Sequence, residues 1–112
     1  AVSIYMLINT NSSTPEVDKP ITLKLVTGEE VIGKVTEVTA DYLSLLKPLV
    51  IFINPQNAQL AMQNLVLSAD HEKPVQFNRT VIVAYSAPDS GIGEHYMGSL
   101  TGIIKAPAGF AL

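Results

Sequence analysis

The chain has 112 residues, no cysteine and a formal net charge of −3, with only seven Lys and Arg residues and no run of them. That length fits one domain, and 47% apolar residues are enough for a core without staples. Lack of cysteine excludes disulfides and thiolate chemistry, and the sparse cations exclude a protein that grips nucleic acid by neutralising many phosphates.

Charged residues make up only 15% of the chain, against roughly 25% in ordinary domains, which points to a surface partly covered by another copy. The opening AVSIYMLIN is apolar but has no basic flank and is much shorter than a membrane span. A soluble, cytoplasmic protein with no membrane partner is expected.

In chain order, Val2, Ile4, Met6 and Ile8 alternate and suggest an added N-terminal strand, and Pro15 to Lys19 has room for a short helix. Ile21, Leu23 and Leu25 then alternate with Thr22 and Lys24, the period of a half-buried strand over Ile21–Thr27. Gly28-Glu29-Glu30 supplies a turn in which Gly28 takes positive φ at little cost. A second strand runs from Val31 to Val38. Gly33 inside it calls for a bend or a close backbone approach.

Tyr42 to Ile53 reads as a long apolar strand interrupted by Pro48, where a bulge or unpaired edge position is expected, and Asn54-Pro55-Gln56-Asn57 closes it. Ala58–Ser68 is helical by propensity but alternates as a strand, and the neighbouring hairpin selects strand. Asp70 to Pro74 is a polar loop, and Thr80–Tyr85 is the final strand. Beyond it, Pro88 and several glycines break the sequence into a short helix around Glu94–Leu100 and an irregular tail. One domain follows: a core over about 20–85, an N-terminal extension 1–19 and a C-terminal extension 86–112.

Five strands in up-and-down order, with a glycine in the second and a proline in the third, predict an all-β, strongly bent, five-stranded antiparallel small barrel. Incomplete closure would leave an edge for the next subunit, and head-to-tail repetition of such pairing closes into a ring.

The stretch ITLKLVTGEEVIGKVTEVTADYLSLLKPLVI resembles the first conserved block of Sm and Sm-like proteins, including those carried by large tailed phages. Gly28, Gly33 and Asp41 stand where that block has its two glycines and its acid, with two extra residues between Gly33 and Asp41. The resemblance implies an SH3-like barrel, a homo-oligomeric ring and single-stranded RNA held at the inner rim. The second block departs from the pattern: Arg79 precedes the last strand, but Thr80 occupies the glycine position. Tyr42-Leu43-Ser44 likewise stands where the family places a base-reading Asn.

Asp41, Tyr42, Asn78 and Arg79 are the candidate RNA-binding residues, able to stack and hydrogen-bond an unpaired base. Their alternative reading is structural: Asp41 orders its turn, Tyr42 packs at a subunit seam and Arg79 pairs with an acid. Gly28 and Gly33 serve backbone geometry. His71 and His95 lie far apart with no ligand spacing, so no metal or cofactor is expected. Asp89, Ser90 and His95 lack the context of a catalytic triad. DSGIGEHYMG lacks the ending of a phosphate loop and reads as a connection that docks Tyr96 and Met97 on the barrel.

Two functions remain open, neither enzymatic. One is an Sm-like homo-oligomeric ring of five to seven copies that binds single-stranded RNA. The other is a structural or assembly protein that uses the same ring for protein–protein contacts.

Overall fold

The computed structural model describes residues 14–101. Among them are six strands, β1 (Pro20–Leu25), β2 (Glu30–Val38), β3 (Tyr42–Asn54), β4 (Gln59–Asn64), β5 (Val75–Asn78) and β6 (Ile82–Ser86), and one α-helix, α1 (Ser90–Thr101). All pairings are antiparallel: the sheet runs β4-β3-β2-β1-β6, with β5 also on β3. The protein is therefore mostly β, in one antiparallel sheet. The expected strand at Val2–Ile8 lies outside the described residues.

The β1–β2 hairpin forms as its alternation requires, with Ile21 opposite Gly33 and Leu23 opposite Val31. Gly28 takes φ +105, and its N–H donates to the Leu25 carbonyl at 2.9 Å. The Thr27 hydroxyl donates to the Glu29 carboxylate. That bond, with help from a backbone donor and Lys24, holds the Glu29 carboxyl below the usual range.

Two bulges shape the β2–β3 pair. Ile32 faces Leu49 and Lys34 faces Leu46, so β3 carries one residue more than β2 in this interval. The extra residue falls at Lys47-Pro48, where Lys47 has φ +46. The bulge expected at Pro48 is present, because a proline has no N–H for the ladder. Val35 faces Leu45 while Glu37 faces Ser44, which puts a second extra residue, Thr36, on β2.

Gly33 lies within the first of these irregularities, between Ile32 and Lys34. A Cβ there would lie 2.8 Å from both Cβ and Cδ1 of Leu45. A side chain cannot occupy that space without moving β3, so this glycine marks a close approach of two strands.

Ile21, Leu23, Leu25, Val31, Val35, Leu43, Leu45 and Phe77 form one buried cluster, with Val75, Val81 and Ile82 packed against it. Its members come from β1, β2, β3 and β5, and Ile82 of β6 packs against them. A second cluster covers the outer face: Ile32, Leu49 and Met62 meet Tyr96, flanked by Ile92, Met97 and Leu100 of α1. Both faces of β2 are buried as a result.

Several elements differ from those expected. Pro15–Lys19 is not a helix but a turn, closed by the Lys19 N–H on the Glu16 carbonyl at 3.1 Å. It is then held to β2, where Val35 accepts from Asp18 N–H at 2.8 Å and donates to the Lys19 carbonyl at 2.9 Å. The strand expected over Ala58–Ser68 ends at Asn64, and Val75–Asn78 adds a sixth strand. The last strand begins at Ile82 rather than Thr80, because Arg79–Val81 forms a 3₁₀ turn. The helix is longer than expected, since the Asp89 carboxylate accepts from the N–H groups of Gly91 and Ile92 and starts it at Ser90. DSGIGEHYMG is thus mostly helix, with Tyr96 and Met97 docked on the sheet.

Candidate ligand site at the β2–β3 turn

The loop between β2 and β3 is organised by Thr39. Its hydroxyl oxygen accepts from Asp41 N–H at 3.2 Å and Tyr42 N–H at 2.9 Å, and its O–H donates to the Tyr42 carbonyl at 3.0 Å. A short polar side chain closing its own turn in this way is local chemistry that the sequence TADY permits.

The neighbouring wall comes from β5 and the 3₁₀ turn. Tyr42 pairs with Asn78 in the β3–β5 ladder. Arg79 N–H donates to the Asp41 carbonyl at 3.0 Å, and Arg79 Nε donates to the Thr39 carbonyl at 3.1 Å. The four residues nominated from sequence, Asp41, Tyr42, Asn78 and Arg79, therefore meet at one end of the sheet. Asp41 and Asn78 are exposed, and Tyr42 and Arg79 are half-buried.

Much of their polar capacity serves the scaffold. Asn78 Oδ1 accepts from both the N–H and the hydroxyl of Thr80, at 3.1 and 3.0 Å, and so caps the 3₁₀ turn. Positive φ among non-glycine described residues is confined to Asp18, Lys47 and Ala58. Thr80 is thus in ordinary backbone conformation, and the turn forms without a glycine there. The hydrogen bond from the Tyr42 phenol to Glu37, then burial and the charges of Glu37 and Asp41, raise its pKa above the ordinary value.

The arrangement offers one aromatic ring and one guanidinium beside two carboxylates. It can stack a flat group, but the carboxylates repel phosphate. Sequence reasoning missed Thr39, Glu37 and Thr80 as the partners that fix these side chains. Thr three residues before Tyr42, and Asn two before Thr80, were the available signals.

The glycine assignments fit the geometry: Gly28 adopts positive φ and Gly33 accommodates Leu45. Among the described residues, no group of three or more His, Cys, Asp or Glu side chains comes together to hold a metal ion. No helix among them is long and apolar enough to cross a membrane. His71 lies in the loop after β4 and His95 in α1.

The other prominent surface feature is a sheet edge. Among the described residues, β6 pairs only with β1, and β4 and β5 pair only with β3. Strand β6, IVAYS, carries no charge, and Val83 and Tyr85 are 65% and 42% exposed. An uncharged edge with open backbone donors and acceptors is a template for another strand. No protein-family model matches the chain, and no curated protein matches it in sequence.

Proposed function

We propose that this chain is a non-enzymatic, Sm-like protein that assembles through its sheet edges into a homo-oligomeric ring of five to seven copies and works as a scaffold for contacts with other proteins. The observation that carries this reading is the uncharged, outward β6 edge with Val83 and Tyr85 exposed. A soluble sheet normally blunts such an edge with Lys, Pro or a covering element. Pairing β6 of one copy with the β4 or β5 edge of the next is heterologous, and a heterologous contact repeats until it closes. The resemblance of Ile21 to Ile51 to the Sm-like first block supports the same reading.

A second reading has single-stranded RNA at the inner rim, and the meeting of Asp41, Tyr42, Asn78 and Arg79 favours it. A ring would repeat this weak pocket and supply avidity. Commitment of Arg79 Nε and Asn78 Oδ1 to the turn, together with Glu37 and Asp41 beside Tyr42, ranks it behind the scaffold.

Native mass spectrometry of micromolar protein, purified without nuclease, tests both. The expected spectrum is a discrete assembly of five to seven copies without ribonucleotide mass. The double variant Val83→Lys/Tyr85→Lys is expected to be monomeric with unchanged circular dichroism. A wild-type monomer across the micromolar range overturns the ring. Ribonucleotide mass that disappears with Tyr42→Ala would replace the scaffold with the RNA reading.

A further inference from the structure

Among the described residues, β3, the loop after β4 and the last turn of α1 enclose a groove of about 540 Å³, away from the β2–β3 turn. Its apolar lining comes from Leu49, Leu67, Tyr96 and Leu100. Leu49 and Tyr96 are buried, whereas Leu67 is 77% exposed. Both the volume and a mainly apolar lining are those of a small-molecule site. The Tyr96 hydroxyl is taken up by Lys34 N–H and the carbonyls of Leu46 and Lys47, so polar recognition in the groove falls to other groups.

Those groups are Lys47 and His71, both half-buried. Each is positioned by its backbone. Lys47 sits in the bulge at φ +46, and its carbonyl accepts from the Tyr96 hydroxyl at 3.0 Å. His71 lies in a turn closed by Lys73 N–H on the Asp70 carbonyl at 3.0 Å and by Glu72 N–H on Asp70 Oδ1 at 3.1 Å. No Asp or Glu lines the groove; Asp70 borders a small adjoining cleft instead. Among the described residues the ion pair joins Lys34 to Asp18, and so neutralises neither Lys47 nor His71. In a chain of net charge −3, this concavity presents a lysine and a histidine and no acid.

We propose that this groove binds a small organic anion, a monocarboxylate with an aliphatic body. Its carboxylate accepts from the Lys47 ammonium and a His71 ring N–H, and its chain lies along Leu49, Leu67 and Leu100. An aliphatic body fits because Tyr96, at 0% exposure, offers no ring face for stacking. A carboxylate fits because the donors are one ammonium and one imidazole, without the guanidinium fork or the nest of backbone N–H groups that selects phosphate. Covering Leu67 removes an exposed apolar side chain from water. The site lies within one copy of the chain and does not rest on the ring.

The test is a titration of the isotope-labelled full chain with octanoate, followed by amide chemical shifts. The expected result is saturation with a Kd on the order of 1 mM or below, with the shifts centred on Lys47, Leu67, His71 and Leu100. At the same concentration, 1-octanol and acetate are expected to give less than about a fifth of the shift, since each lacks one half of the recognition. Lys47→Gln/His71→Gln is expected to weaken octanoate binding by about tenfold with unchanged circular dichroism. Absence of saturation up to about 10 mM octanoate, as would follow if another part of the chain held the groove, overturns the proposal. So do shifts centred elsewhere, equal shifts with 1-octanol, or unchanged affinity in the double variant. If that variant fails to fold, the comparison of the three ligands on the wild type decides.

Discussion

Tyr96 is the residue at which helix and sheet are joined most tightly. Its side chain is fully buried, and its hydroxyl accepts from Lys34 N–H at 3.0 Å and faces the carbonyls of Leu46 and Lys47 at 2.5 and 3.0 Å. These backbone groups surround the bulge at Lys47-Pro48, where the ladder cannot pair them. The phenol does so instead. Tyr96→Phe keeps the packing but leaves those groups without that partner, and is expected to cost about 3 kcal/mol in a urea titration. Burial also holds the Tyr96 phenol well above its ordinary value of 10.0. At higher pH the unfolded chain loses this proton while the folded chain keeps it, so stability falls as pH rises above that ordinary value. The Phe variant is expected to show a shallower alkaline decline above about pH 10. Tyr42, raised in the same direction, keeps part of the decline.

Among the elements, the β1–β2 hairpin was readable because each of its determinants is local: alternation, a glycine at positive φ and short connections. Pro48 was readable for the same reason. Gly33 signalled a close approach, but the partner that fills the space, Leu45, became visible only when the chain folded. Gly33→Ala forces a Cβ to within 2.8 Å of Leu45 and is expected to destabilise by about 1–3 kcal/mol. An unchanged urea midpoint would mean that β3 yields at no cost. Strand β5 was not readable: Val75-Gln76-Phe77-Asn78 is too short to establish a period, and it is a strand because Tyr42–Leu45 of β3 holds it. The split of β4 from β5 has the same origin, since β3 pairs with each over a different half. At the candidate site, Asp41, Tyr42, Asn78 and Arg79 lie together at one end of the sheet. The bond from Arg79 to Thr39 depends on a contact across about forty residues of sequence.

For the whole molecule, the two hydrophobic clusters lie on opposite faces of the same strands and are not separable. Leu23 belongs to the inner cluster and Met62 to the outer one, and both are fully buried. Leu23→Ala and Met62→Ala are each expected to cost about 2–5 kcal/mol. In both variants, circular dichroism and tyrosine fluorescence should follow one coincident unfolding transition. Two resolved transitions would mean that α1 and its cluster unfold independently of the sheet.

The sequence by itself determined that the described chain is mostly β, that a glycine turn joins the first two strands, that β3 is interrupted at Pro48 and that Tyr96 and Met97 dock on the sheet. All of these follow from period, backbone restriction or the burial of an apolar side chain, which are properties of neighbouring residues. Tertiary structure alone decided that β5 pairs with β3, that Arg79–Val81 forms a 3₁₀ turn, that Tyr96 closes the bulge and that β6 lies at the end of the sheet formed by the described residues. Each of those outcomes depends on which distant backbone groups find partners, and a hydrogen bond between remote segments has no signature in the local order of residues.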